Sequence, residues 1–190
     1  MPLLSILIPS VPNRHSQLHS LFKNLAWQVE NYGDDVEVLV LLDNKKRSIG
    51  LKRQALLDIA KGTYVTWIDD DDEPDMDYVY EVMEVLHGSF HPDVITINQE
   101  VYIDGKGPYS LTFRSGHPHN EEVGETPATH PPWHTCIWKR ETIKDCKFPD
   151  LMYGEDWAWA EQANKLIRHS FHIDKVLLTY IFDSNITEAK

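Results

Sequence analysis

The 190-residue chain lacks the marks of several large protein classes. It has two cysteines, Cys136 and Cys146, at no metal-type spacing. That argues against a disulfide-framed secreted fold and a cysteine zinc site, and favours reduced thiols in a cytoplasmic protein. No apolar run reaches the about 18 residues of a membrane span. The apolar start, Met1 to Pro9, has no basic n-region and is interrupted at Pro9 and Pro12, which makes it a buried strand rather than a signal peptide. Basic residues are scarce. Against 30 Asp and Glu there are 18 Lys and Arg, a net charge of -12. That disfavours a broad nucleic-acid face, leaves room for a local basic groove, and suits a protein that gathers cations near carboxylates. No glycine-rich segment follows the first strand, so a phosphate-binding glycine loop is excluded.

What is present is a regular alternation. Leu3 to Ile8 is a continuous apolar run, expected to be a buried strand. Leu18, Leu21, Phe22, Leu25, Ala26 and Val29 recur at helical spacing. Val36 to Leu42 is a second strand. Ser48 then caps a helix with inner face Leu51, Ala55 and Ile59, ended by Gly62. Tyr64 to Ile68 is a third strand, and a third helix, capped near Asp75, turns Val79, Val82, Met83 and Leu86 inward. Strands alternating with helices predict an α/β fold with a mostly parallel central sheet flanked by helices. Ligands of such sheets bind beyond the carboxyl ends of the strands. Those ends carry Ser10 to Arg14, Asp43, and Asp69 to Asp72. In the second half, Val94 to Ile103 and Tyr109 to Phe113 read as an antiparallel hairpin around Asp104 to Gly107. Gly116 to Pro132 reads as a long surface loop, Thr135 to Trp138 as a strand, the segment from Gly154 as a helix carrying Trp157, Ala160, Ala163 and Ile167, and Val176 to Phe182 as the last strand. With no repeat and no linker, a single domain is expected over 1–190, in two halves, 1–92 and 93–190.

Four adjacent aspartates at a strand end require a physical account. Two unit charges 4 Å apart repel by about 4 kcal/mol at an effective dielectric near 20. Solvation of an exposed turn relieves this; so does a bound cation. The run directly follows the buried-type strand Val65 to Ile68, which favours the cation. Alternation along an extended segment sends Asp69 and Asp71 to one side, leaving Asp70 and Asp72 to set the turn. Mg²⁺ or Mn²⁺ binds through one or two carboxylates plus substrate phosphate oxygens. A calcium loop of the EF-hand type is excluded, because its sixth and twelfth positions would be Pro74 and Tyr80. His134 is a candidate third ligand, with His130 and His172 as alternatives. His117-Pro118-His119 has no partner spacing for zinc. Arg14, Lys52 and Arg53 are candidates for phosphate pairing, and Trp133 and Trp157 for stacking on an acceptor sugar; for Lys52 an exposed helix face and for the tryptophans a core position are equally open.

In this order and spacing the segments resemble a family 2 glycosyltransferase of the GT-A fold, from Leu4 to about Tyr180. Ser5 to Pro9 resembles the family's first strand, followed by a form of its Asn-Arg turn in Asn13-Arg14. Val38 to Asp43 resembles its second strand, Gly50 to Ala55 its G-x-x-R-N segment with Gln54 in place of Asn, Trp67 to Asp72 its D-x-D motif, and Gly154 to Trp157 its Glu-Asp motif. The first loop departs from the pattern, with Pro12 where an aromatic is usual, and the chain is short for the family, so a minimal catalytic domain or one completed by its acceptor partner is expected.

The resemblance implies metal-dependent transfer of a sugar from a nucleoside-diphosphate sugar to an acceptor hydroxyl, with inversion. It implies that Pro9, Ser10, Asn13, Arg14, Asp43, Lys52, Arg53, Asp69 and Asp70 form the donor site, with Asp43 reading the base and Asp69 a ribose. Asp71, with Asp69 and His134, would hold the divalent cation. Asp156, beside Glu155, would be the general base; by itself that acidic pair reads equally as a stabilised helix N-terminus. Trp133 and Trp157 would meet the acceptor, which could be a glycan, a lipid-linked sugar, a protein or a modified nucleic acid. A sugar nucleotidyltransferase and a non-catalytic nucleotide-sugar or metal-binding module remain the competing readings.

Overall fold

The protein is described by a computed structural model covering residues 1–118 and 122–184. Its centre is β1 (Leu4–Ser10), an apolar run buried along its whole length. β1 pairs in parallel with β2 (Val36–Leu42) on one side and β3 (Tyr64–Trp67) on the other. The crossovers are α1 (His15–Val29) and α2 (Ile49–Ile59), as expected of parallel neighbours. α3 (Tyr78–Leu86) follows a two-residue strand, β4 (Glu73–Pro74). The hairpin of β5 (Val94–Ile103) and β6 (Lys106–Phe113) turns at Asp104 and Gly105, both at positive φ. β7 (Ala128–His130) lies in parallel beside β6, and β8 (Ile137–Lys139) runs antiparallel between β3 and β5. α4 (Glu155–Asn164) leads to β9 (Ser170–Phe182), which runs parallel to β5 and also pairs with β4.

Alternation along β1 divides the core. Leu4, Ile6 and Ile8 face α1 and α3, meeting Leu21, Leu25, Val82 and Met83. Leu7 faces α2 and α4, with Leu56, Leu57, Trp67, Trp159 and Ala163. Each fully buried apolar side chain contributes roughly 1.5–3 kcal/mol. Among the described residues no helix is long and apolar enough to cross a membrane.

Several local expectations are corrected. α2 presents the opposite face from the one its apolar spacing suggests. Leu51 and Ile59 are exposed, while Lys52, Arg53, Leu56 and Leu57 are buried. The two cations turn inward because carboxylates wait there, and that interaction outweighs the burial of two aliphatic side chains. Likewise Phe22 is exposed on α1 and Gln28 is buried, where its amide accepts from the Val79 N–H and donates to the Asp75 carbonyl. Gly62 lies beyond the end of α2 and is needed for close packing: a Cβ there would lie 2.6 Å from the Ser5 nitrogen. The stretch 116–132 is not all loop, since β7 forms within it; His119 falls outside the described residues. Ile167 lies beyond the end of α4. The Ser48 cap is as expected, its hydroxyl accepting from the Leu51 N–H at 3.2 Å.

Gly50 fixes α2 against the segment that leads into α4. Its N–H donates to the Leu151 carbonyl, and a Cβ would lie 1.9 Å from the Pro149 oxygen. Gly50→Ala should therefore destabilise the fold by about 1–3 kcal/mol, read as a lowered urea midpoint, because backbone rather than a flexible side chain must move.

Candidate active site

The carboxyl ends of β1, β2 and β3 meet the start of α4, and the polar groups there form one ion-pair network. The aspartate run leaves β3 in a tight turn, with the Asp72 N–H donating to the Asp69 carbonyl. Arg14, delivered by the turn after β1, donates to Asp70 at 2.8 Å and lies 2.9 Å from Asp71. Ser10 Oγ donates to the second Asp70 oxygen at 2.6 Å. Lys52 pairs with Asp43 at 2.9 Å. Arg53 is buried at the centre. Its Nη2 reaches both Asp69 oxygens at 2.8 Å, and its Nη1 meets Glu155 at 2.6 Å and Asp156 at 3.8 Å. Burial opposes the Arg53 charge, but Asp69, Glu155 and Asp156 more than offset it and raise its pKa.

The six carboxylates from Asp69 to Asp72 and at Glu155 and Asp156 fall into distinct states. Asp69 is held ionised: burial opposes the anion, but Arg53 outweighs it. Burial raises Asp70 despite Ser10 and Arg14, and raises Glu155 despite Arg53. Asp71 is pushed up to about 6 by burial and by Asp69. Asp72 is raised furthest, by burial and then by Asp69 and Asp71; neither of its buried oxygens has a partner of ordinary hydrogen-bond geometry. Asp156 lies below its usual value. Burial opposes its anion, but His134, Arg53 and hydrogen bonds from the Trp133 indole at 3.1 Å and the Trp157 N–H at 2.7 Å outweigh it. His134 is itself driven down to about 3 by burial and by Arg53. Its ring is neutral at physiological pH, so Arg53 and the two hydrogen bonds carry the effect on Asp156.

Two cavities meet in this network. The first is lined by Pro9, Ser10, Arg14, Lys45, Arg47, Lys52, Asp69 and Asp70, and closed by Met152 to Asp156 with Tyr180 and Phe182. The second, of about 670 Å³, is lined by Asp72, His134 and Trp133 and by apolar residues of the β5–β6 hairpin. Asp69, Asp156, Tyr153 and Tyr180 line both.

The structure thus brings together Pro9, Ser10, Arg14, Lys52, Asp69, Asp70, Glu155 and Asp156 at the first cavity, and His134, Trp133 and Trp157 at the second. Asn13 and Asp43 do not line either; Asp43 reaches the first through Lys52. Asp71 faces neither cavity, and its ion pair is with Arg14. Asp72, expected only to shape the turn, opens onto the second. His172 bonds Thr96, away from the network, and His130 lines the second cavity. Lys45 and Arg47 were missed as phosphate candidates, although the basic run Lys45 to Arg47 at the end of β2 was a usable signal. Tyr153 and Tyr180 had no such signal, since packing alone puts them at the junction.

Among the described residues, no three His, Cys, Asp or Glu side chains converge closely enough to hold a metal ion unaided. The chemistry of the site nevertheless fits a hard divalent cation. Carboxylates outnumber guanidinium groups, and Asp72 and His134, whose buried polar atoms lack hydrogen bonds of ordinary geometry, line the same cavity. Such an ion takes its remaining ligands from substrate phosphate.

Comparison with known proteins identifies the class. The family model described as Glycosyl transferase family 2 matches residues 25–146, more than half of the chain. The chain belongs to that family, whose members are glycosyltransferases. Among solved structures, S. aureus TarS 1-349 in complex with UDP-GlcNAc is similar with a TM-score of 0.67 at 16% identity, over 97% of this chain and 59% of that one. The same protein in complex with UDP gives 0.66 at 16% identity, over 95% and 60%. A197 from STIV gives 0.54 at 18% identity, over 96% and 87%. At these identities the likeness shows the fold, of GT-A type. The chain spans about three-fifths of TarS 1-349. No curated protein sequence matches it.

Two outcomes test the network. Arg53→Met leaves buried carboxylates unpaired and should cost about 3–5 kcal/mol in urea denaturation; adding Asp69→Asn and Glu155→Gln should recover part of that loss. For Asp71, the folded value near 6 exceeds the unfolded 3.8. The folded chain therefore binds more protons between those values, and stability falls as pH rises through that window. Asp71→Asn should raise the thermal midpoint at about pH 7.5 and leave it unchanged near pH 3.5.

Proposed function

We propose that this glycosyltransferase moves a sugar from a nucleoside-diphosphate sugar to an acceptor hydroxyl, with inversion and with a divalent cation. The carrying observation is the meeting of two unlike cavities at the ionised carboxylates of Asp69 and Asp156. One offers Arg14, Lys45, Arg47 and Lys52 to a diphosphate; the other has no Lys or Arg among its described lining residues. A reaction between two substrates needs such a junction, with a base opposite the leaving group.

In this reading residues 1–92 supply most of the donor site and 93–190 the acceptor side. Arg14 and Lys52 hold the diphosphate, and Pro9 and Ser10 border the nucleoside. Asn13 and Asp43 stand behind them, with Asp43 fixing Lys52. Asp156 accepts the proton of the acceptor hydroxyl. Its depressed pKa keeps it ionised at neutral pH, which favours proton removal in step with bond formation rather than in advance. Glu155 anchors the start of α4 to Arg53 and so positions its neighbour. Arg53 is spent on carboxylates and acts on Asp69, Glu155 and Asp156 rather than on phosphate. Asp69, Asp71, Asp72 and His134 are the groups that would hold Mn²⁺ or Mg²⁺, which when bound would offset charge on the departing diphosphate. Titrating UDP-sugars first follows from the UDP-GlcNAc and UDP bound by TarS. The two buried, unpaired cysteines suit the cytoplasmic placement read from the sequence.

The test is incubation with Mn²⁺ and a panel of nucleotide sugars, measuring free nucleoside diphosphate with and without acceptor. Diphosphate release, with Asp156→Asn lowering turnover by about 10²-fold or more while nucleotide affinity holds, is the expected result. Pyrophosphate release, or normal turnover in Asp156→Asn, would overturn the reading.

A further inference from the structure

The acceptor side of the site carries information about what it takes, and the inference rests on the transfer reading given above. β5 alternates so that Gln99, Val101 and Ile103 share one face, and β6 adds Leu111 and Phe113 to it. These side chains wall the cavity of about 670 Å³ beside Asp156. Opposite them Trp133 and Trp157 meet edge to face, with centroids 5.8 Å apart. The same two tryptophans line an adjoining outer cavity of about 410 Å³ with Pro131 and Ala160 and with the polar His117, Glu161, Asn164 and Lys165, so an occupant has a path outward along the tryptophans.

The polar complement is sparse and of one sign. Asp69, Asp72 and Asp156 line the inner cavity, with no Lys or Arg among its described lining residues; Lys165 stands only at the outer one. The Gln99 amide donates to Thr135 Oγ1 at 2.9 Å, and the Trp133 indole donates to Asp156. A phosphate-bearing acceptor would find no Lys or Arg among the described lining residues to pair with, and the apolar side chains of the hairpin face offer no donors to replace water on a body dense in hydroxyls.

We propose that this cavity binds an uncharged acceptor in which the reacting hydroxyl adjoins an alkyl or aryl body. The hydroxyl lies toward Asp156 and the apolar body lies against the hairpin face, directed outward past Trp133 and Trp157. A phosphorylated chain would find no cationic side chain among the described residues of its wall.

Alkyl glucosides below their micelle concentration are the probe, titrated against the whole chain by tryptophan fluorescence, with glucose and glucose 6-phosphate as comparisons. Affinity should rise about threefold to fourfold per methylene from hexyl to octyl, and glucose 6-phosphate should be the weakest. Ile103→Lys, which places a cation on the half-buried wall, should weaken octyl glucoside at least tenfold; should that variant not fold, Val123→Lys on the same wall is the equivalent test. Binding without chain-length dependence, glucose 6-phosphate binding as tightly as octyl glucoside, or unchanged affinity in the folded variant would overturn the proposal. UDP titration of the same preparation reports on the donor cavity separately, so a failure of the transfer reading is seen as lost UDP binding while the alkyl series still decides the acceptor class.

Discussion

The buried guanidinium of Arg53 is the interaction on which the rest of the site depends. It joins Asp69, at the end of β3, to Glu155, at the start of α4, which lies 102 residues from Arg53 in sequence. A cation this deep is tolerable only because carboxylates surround it, and those carboxylates can crowd together only because it is there. The carboxyl end of β3 and the start of α4 are thereby held at the point where the two cavities meet. The orientation of α2 follows: the helix turns Lys52 and Arg53 inward and leaves Leu51 and Ile59 in water.

This arrangement explains why adjacent carboxylates differ so much in character. Asp69 and Asp156 remain anionic beside the guanidinium, whereas Asp71 and Asp72 are raised by burial and by Asp69. The network thus keeps Asp156 ionised near Arg53 while a negative potential builds at Asp71 and Asp72. A divalent cation arriving with a diphosphate would relieve that potential, which couples donor binding to the electrostatics of the aspartate run. Stability is lost to this charge crowding in the absence of ligand, as is common where function needs groups held in unfavourable surroundings.

The contrast between the cavities has the same origin. Arg14 of the turn after β1, Lys45 and Arg47 of the loop after β2 and Lys52 of α2 line the first cavity, because these elements meet at the carboxyl ends of the parallel strands. The hairpin of β5 and β6 contributes an alternating apolar face instead, and α4 brings tryptophans rather than cations. Charge and polarity are therefore segregated by element, and Asp156 lies on the border because α4 begins there.

The sequence by itself determined the strand and helix order, the strand-end position of Asp69 to Asp72, the Glu155-Asp156 pair and the family. Those features are local: apolar runs, periodicity and short motifs require no knowledge of distant partners. The tertiary structure decided which carboxylate faces which space. Alternation along an extended segment paired Asp69 with Asp71, but the run leaves β3 as a tight turn, and in a turn alternation fails; Asp72 faces the cavity and Asp71 does not. It also decided that Arg53 pairs with Asp69 and Glu155 and lines neither cavity, and that α2 buries its charged face. Those outcomes depend on charges brought together from far along the chain, and no local pattern records them.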